Sequence, residues 1–259
     1  MGRLQSLFAA WHFAVRFLWL LALLVPSLLL HGAWRLAGRV SPWPRWFLGR
    51  AARAAGARIE VTGTPLQHDV LFVANHVSWV DILVLGRLTP ARFVAQDQLY
   101  HWAVLGWLST LNNTIFVSRT DRLGVAGQIE RVRTAIAGPQ PVAIFPEGTT
   151  TAGRSLLPFK PALFSALEPP PRPLQVQPVL LDFDAAGSAL AWIGTETGGA
   201  NAWRVLSRSG SFAVTVHFLE PFSADGGRKR VGAAARNAIL AALTARHGAT
   251  PLDTPGGTS

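Results

Sequence analysis

The sequence predicts an α/β fold in which a largely parallel central sheet is flanked by helices and preceded by an N-terminal membrane-associated helical segment. Three observations carry this. From Ile59 onward, short β-rich runs alternate with helical patterns, the rhythm of a parallel sheet with helices packed on its faces. Only 15% of the residues are charged against 49% hydrophobic, and the mean hydropathy is +0.27, so apolar surface remains once one core is filled. Phe17 to Trp34 carries no charge and is bounded by Arg16 and Arg35.

That uncharged run sits at the lower edge of what crosses a bilayer core of roughly 30 Å, and it contains Pro26. A spanning helix and an interfacial helix are both open from sequence. A cleaved signal peptide fits poorly, because HGAWRLAGR offers no small-x-small cleavage site and turns basic at once. Trp11, Trp19, Trp34, Trp43 and Trp46 share the first fifth of the chain with Arg16, Arg35, Arg39, Arg45 and Arg50, the aromatic and cationic furnishing of a bilayer interface. If the segment spans, the arginines after the run outweigh those before it and put the following body on the cytoplasmic face of the cell membrane. Residues 1–57 are read as this segment, 58–247 as the globular domain, and the Gly, Thr and Pro-rich stretch 248–259 as a disordered tail.

Within the globular domain the expected strands are 59–61, 70–74, 92–95, 114–117, 142–145, 174–181 and 212–219. The helical patterns between them cover 81–88, 98–111, 121–137, 159–167 and 228–246.

Charge and composition exclude some functions. Net charge is +10, and all basic residues except Lys160 and Lys229 are arginine. Such a balance suits nucleic acid, anionic lipid or a phosphorylated ligand, and the tryptophan-rich start favours lipid over nucleic acid. Absence of cysteine removes disulfides, thiolate metal sites and cysteine nucleophiles. No glycine-rich dinucleotide fingerprint or phosphate loop is present.

Three polar clusters stand at predicted strand ends. The run VLFVA leads into Asn75-His76-Val77-Ser78-Trp79-Val80-Asp81. On one continuous helix the His76 to Asp81 offset is about 140° after a full turn, so a working pair needs a strand, a turn and then a helix. Folded so, the carboxylate reaches one imidazole nitrogen and leaves the other as a base. The bland alternative is a helix capping box, Ser78-x-x-Asp81, with His76 one of seven histidines. The run TIFV ends in Ser118-Arg119, and VAIF ends in Pro146-Glu147-Gly148-Thr149. Ligands gather at the carboxyl ends of parallel strands, so the three clusters can converge. Arg119 suits a phosphate or a carboxylate, Gly148 lets the backbone approach a ligand, and Thr149 offers a hydroxyl and an amide. A solvated arginine and an ordinary turn are the bland alternatives.

Together these blocks resemble the glycerolipid acyltransferases of the bacterial 1-acyl-glycerol-3-phosphate (lysophosphatidate) acyltransferase type. The resemblance covers about residues 58–222 in family order. Asn75-His76 with Asp81 is similar to the N-H-x-x-x-x-D block, Ile115 to Arg119 to the second, Phe145 to Thr149 to the third, and Val176-Gln177-Pro178-Val179 to the fourth. Gln177 replaces a residue that is usually apolar or small, and Asn113 stands where members often carry glycine. The resemblance implies that His76 deprotonates an acceptor hydroxyl while Asp81 orients the imidazole. Asn75, Arg119, Glu147, Gly148, Thr149 and Lys160 are the implied substrate-binding residues, with a solvated lysine at a helix start as the bland alternative for Lys160. The donor implied is an acyl-CoA or acyl carrier protein thioester, with no metal or other cofactor. The acceptor implied is a lysophospholipid, 1-acyl-glycerol-3-phosphate first, giving phosphatidic acid in phospholipid biosynthesis. A lyso-ornithine lipid is the alternative, since FPEGTTTAGRSLLPFKPALF also resembles that subgroup. A non-catalytic membrane-binding protein is the alternative from another class, and it has no use for a base at His76.

Overall fold

VLFVA lacks the apolar–polar alternation of a half-exposed strand, the pattern of a strand covered on both faces. In the computed structural model, which describes residues 3–96, 112–117 and 124–248, this strand (β2, Val70–Ala74) is buried at every position and lies mid-sheet. It pairs in parallel with β5 (Val142–Ile144) and β6 (Gln175–Asp182). The sheet runs β1 (Ala57–Thr62), β7 (Phe212–Phe218), β6, β2, β5, β3 (Arg92–Gln96), β4 (Ile115–Val117), with β8 (Phe222–Ser223) on β6. Strands β6, β2, β5, β3 and β4 are parallel, while β7 is antiparallel to β6 and parallel to β1. The predicted sheet is thus present, with its reversed edge and the short β8 as additions. The helix expected over 98–111, the start of that over 121–137 and the tail from 249 lie outside the described residues.

Alternate side chains of β2 enter opposite cores, as a two-residue period requires. Phe72 and Ala74 join Val84, Leu85, Leu181 and Val216 on one face; Leu71 and Val73 join Ile144, Phe164, Leu180 and Ile239 on the other. The first core is roofed by α1 (Arg3–Leu36), α2 (Trp43–Ala54) and α3 (Val80–Leu88), the second by α4 (Val125–Ala137) and the long final helix. Two helices that the sequence reading did not foresee, α5 (Gly187–Leu190) and α6 (Gly198–Leu206), follow β6, and the final helix is α7 (Gly227–His247). The pattern read as a helix over 159–167 is a 3₁₀ helix, Pro161–Leu167.

Helix α1 extends far beyond the uncharged run and continues through Pro26. One face docks on the body. Phe13 packs against Trp203 with ring centroids 4.5 Å apart, and the Arg16 guanidinium donates to the carbonyls of Ala55, Val205, Leu206 and Gly210. The carbonyls of Val205 and Leu206 belong to the last turn of α6, where carbonyls lack intrahelical partners and a cation is favoured. The opposite face exposes Leu4, Leu7, Phe8, Trp11, Val15, Leu18, Val25 and Leu29, an apolar stripe at helical spacing.

Candidate active site

The strand-turn-helix that the His76 to Asp81 spacing requires is present: β2 ends at Ala74 and α3 begins at Val80. Asp81 in the first turn of α3 folds back over the turn, and its Oδ2 accepts from His76 Nδ1 at 2.6 Å, Val77 N–H at 2.7 Å and Ser78 N–H at 3.0 Å. A carboxylate accepts only, so Nδ1 carries the proton and Nε2 is left with its lone pair. The capping interaction with Ser78 and the contact with His76 therefore share one oxygen. Asp81 is fully buried, and its Oδ1 has no hydrogen-bond partner among the described residues.

The imidazole lies on the Phe145 ring, with centroids 4.3 Å apart and planes 22° from parallel. Phe145 in turn stacks on Phe93 at 6.2 Å. Backbone bonds fix the turn on both sides. His76 N–H donates to Glu147 Oε1 at 2.9 Å, and Thr151 N–H donates to the His76 carbonyl at 2.8 Å. The cluster after β5 is thus brought directly against the cluster after β2, as sites at the ends of adjacent parallel strands allow.

The residues expected to bind substrate divide into two groups. Asn75 and Glu147 turn inward. The Asn75 amide bridges β2 to β6, donating to the Leu181 carbonyl at 3.0 Å and accepting Leu181 N–H at 2.7 Å. Glu147 is 2% exposed, and its second oxygen accepts Leu157 N–H at 2.9 Å. Both side chains hold the elements on either side of His76: Asn75 ties the end of β2 to β6, and Glu147 ties the His76 turn to the 156–157 loop. Gly148 and the exposed Thr149 lie in the turn after β5, and the exposed Lys160 stands beside them, its backbone N–H donating to the Pro146 carbonyl at 2.9 Å. Gly148 has φ +67°, and a Cβ there would come within 2.5 Å of Lys160 Nζ, so glycine both permits the turn and makes room for the lysine. Arg119 lies outside the described residues. Ahead of it, Asn113 takes φ +57°, a conformation that asparagine tolerates better than most residues, and donates to Gln140 Oε1 at 3.0 Å. Asparagine therefore supplies here the left-handed conformation for which the resemblance leads one to expect a glycine. Gln177 in the fourth block is buried. It donates to the Thr64 and Leu219 carbonyls and accepts Leu66 N–H, knitting three segments together.

Burial pushes the Glu147 carboxyl from its ordinary 4.5 up to about 7, opposed by the amides of Leu157 and His76 and reinforced by the Asp81 charge. Between those two pH values the folded protein holds a proton that the unfolded chain has released, so stability falls as pH rises through that window. The drop expected is on the order of 3 kcal/mol. Melting in detergent from pH 5 to pH 8 should show it, and Glu147→Gln should flatten the slope while weakening one backbone contact. An unchanged slope in that variant would assign the effect elsewhere.

Residues that sequence reasoning did not single out also touch the site. Phe145, the first residue of the Phe145–Thr149 block, is the ring on which the imidazole rests. Arg236 on α7 donates to the carbonyls of Leu156 at 2.9 Å and Leu157 at 3.2 Å, supporting the loop whose amide reaches Glu147. Trp192 N–H donates to the Val77 carbonyl at 3.0 Å. No local pattern in the sequence marks Arg236 or Trp192.

A largely parallel α/β sheet carrying N-H-x-x-x-x-D at one strand end and F-P-E-G-T at its neighbour's is the arrangement that the resemblance to glycerolipid acyltransferases implies. The protein-family model described as Acyltransferase matches residues 58–181. The chain is 35% identical over 210 residues to the lyso-ornithine lipid O-acyltransferase of Pseudomonas aeruginosa, covering 77% of each chain. It is 37% identical over 122 residues to the 1-acyl-sn-glycerol-3-phosphate acyltransferase of Neisseria gonorrhoeae, covering 46% of this chain and 48% of that one. Its fold is similar to the crystal structure of the 1-acyl-sn-glycerophosphate (LPA) acyltransferase PlsC from Thermotoga maritima, with a TM-score of 0.61 and 20% identity over 92% of this chain and 95% of that one. The chain belongs to the lysophospholipid acyltransferase family.

Proposed function

We propose that the protein transfers a fatty acyl group from acyl-CoA or acyl carrier protein to the free hydroxyl of a lyso-lipid, with His76 as general base. The observation that carries this is the 2.6 Å contact between His76 Nδ1 and Asp81 Oδ2. Nε2 takes the hydroxyl proton while the oxygen attacks the thioester carbonyl; the tetrahedral intermediate collapses to the new ester and expels the thiolate, which recovers the proton from the imidazolium. Asp81 holds the imidazole in the required tautomer and stabilises its charged form. Attack is direct and needs neither a covalent acyl-enzyme nor a metal or cofactor.

Lyso-ornithine lipid is the favoured acceptor, supported by the relative of that name whose match runs over most of both chains. The first expectation from sequence, 1-acyl-glycerol-3-phosphate, stays as the second reading, supported by the Neisseria relative. Arg119, with Gly148, Thr149 and Lys160, would hold the carboxylate of a lyso-ornithine lipid or the phosphate of 1-acyl-glycerol-3-phosphate. Membrane attachment through the apolar stripe of α1, with the body on the cytoplasmic face, completes the proposal. The docking of α1 against the body supports an interfacial over a spanning placement.

Purified protein in detergent, given a labelled acyl thioester and a panel of lyso-lipids, tests the reading by product identity. Acylated lyso-ornithine lipid is expected; product from 1-acyl-glycerol-3-phosphate alone reverses the acceptor assignment, and no product from any lyso-lipid sinks the function. Arg119→Ala should raise acceptor KM far more than donor KM, with acceptor kcat/KM lower by about one to two orders of magnitude, the worth of a charge-assisted contact. Lysine at 119 should recover part of it, because an ammonium lacks the planar fork. Equal losses for donor and acceptor would make Arg119 structural.

A further inference from the structure

The sequence blocks stop at Val179 and the family model at residue 181, yet the segment after β6 is stitched to the turn that carries His76. Trp79, at the start of α3, donates its indole N–H to Asn201 Oδ1 at 3.0 Å. Asn201 lies on α6 and is 0% exposed. Its amide donates to Glu196 Oε2 at 2.8 Å and to the Ala191 carbonyl at 3.3 Å. Arg204 closes the cluster, giving Nε to Glu196 Oε1 at 2.9 Å and Nη2 to the Ala191 carbonyl at 2.7 Å. Next to Ala191, the backbone N–H of Trp192 holds the Val77 carbonyl, and the Thr150 hydroxyl donates to the Trp192 carbonyl. Behind α6 stands α1, with Phe13 on Trp203 and Arg16 on the carbonyls of Val205 and Leu206.

The start of α3 is held from within by Asp81 Oδ2 on Ser78 N–H and by Ser78 Oγ, which accepts Val80 N–H at 3.2 Å; the bond from Trp79 to Asn201 ties that turn to a second element. Asp81 Oδ2 must meet three donors at once, so a small rotation of this first turn misplaces the imidazole, and reacting groups tolerate little misplacement.

We propose that Asn201, through the indole of Trp79, is a positioning residue for the His76–Asp81 pair, with α6 braced in turn by the docked helix α1. It touches no reacting atom and acts on the rate through the orientation of α3. This rests on the reading of His76 as the base.

The test uses the full chain in detergent, with kcat, both KM values and the melting temperature measured for Trp79→Phe, Asn201→Ala and the double variant, beside His76→Ala. Trp79→Phe keeps a ring in place and removes only the donor and one ring of the indole, so it is the deciding variant should Asn201→Ala fold poorly. We expect kcat to fall about tenfold in each single variant with both KM values unchanged. The double variant should be no more than about twofold worse than either single one, because the two residues act through one contact. A folded Trp79→Phe protein with wild-type kcat, or with its loss in KM, overturns the proposal. An inactive His76→Ala beside a fully active Trp79→Phe sinks the positioning role alone, whereas an active His76→Ala sinks the base and the positioning role together.

Discussion

His76→Ala should lower kcat by about 10² to 10⁴, the usual cost of losing a positioned base, while the fold survives. Survival follows from how the turn is held. The bonds to Glu147 and from Thr151 use the His76 backbone N–H and carbonyl, which alanine keeps. What alanine removes is the ring on Phe145 and one of the three donors to Asp81, whose bonds from Val77 N–H and Ser78 N–H remain. Asp81→Asn should lose a comparable factor for a different reason: an amide turned to give its NH₂ to Nδ1 imposes the wrong tautomer, and turned the other way it supplies a weaker, neutral acceptor. Because the two side chains act as one unit, the double variant should be little worse than the worse single one. Steady-state rates and melting curves on the same preparations decide the matter. Near-normal turnover in a folded His76→Ala protein sinks the mechanism; a lower melting temperature in Asp81→Asn with turnover intact leaves only the capping role.

The parts of this structure that local chemistry dictates were legible in the sequence. VLFVA reads as a strand because all five residues are apolar and mostly β-branched or aromatic, and β2 spans the residues expected. The His76 turn was legible because the spacing to Asp81 works only across a strand-turn-helix. What was not legible depends on distant partners. Asn75 sits beside the base in sequence, yet its amide is taken by Leu181, more than a hundred residues on. Glu147 carries a charge that reads as a ligand contact, but its burial between two backbone amides is set by β2 and the 156–157 loop together. The α6 pattern is short and begins with two glycines, so helical periodicity has little to act on there; Thr197 caps it by accepting Ala200 N–H at 3.2 Å. Helix α2 was hidden differently, because its arginines and tryptophans read as bilayer contacts, whereas Arg45 faces the body and bonds the end of α3.

That last point changes what truncation should do. The sequence alone predicts that removing residues 1–57 either frees the protein from membranes or makes it insoluble, and the packing of α2 on α3 makes the second the expected outcome. Helix α2 covers α3: Arg45 donates to the carbonyls of Arg87 and Leu88, and Leu48 lies so close to Gly86 that a Cβ there would approach it to 2.6 Å. Stripping α2 uncovers the helix that carries Asp81, along with the apolar core beneath it, and leaves the carbonyls at the end of α3 without the guanidinium. Each large apolar side chain so exposed costs about 1.5–3 kcal/mol, which a few residues make comparable to the whole stability of a domain. The 1–57 deletion should therefore aggregate and show no turnover. A deletion of 1–40 is the informative partner, since it removes α1 and Arg16 but keeps α2 on α3. That protein should stay folded in detergent, leave the membrane pellet on fractionation, and melt at a lower temperature because the α6 carbonyls lose their cation. A soluble, active 1–57 deletion would show that the catalytic body stands without α2, and a 1–40 deletion still wholly in the membrane pellet without aggregation would show that the body carries its own anchor.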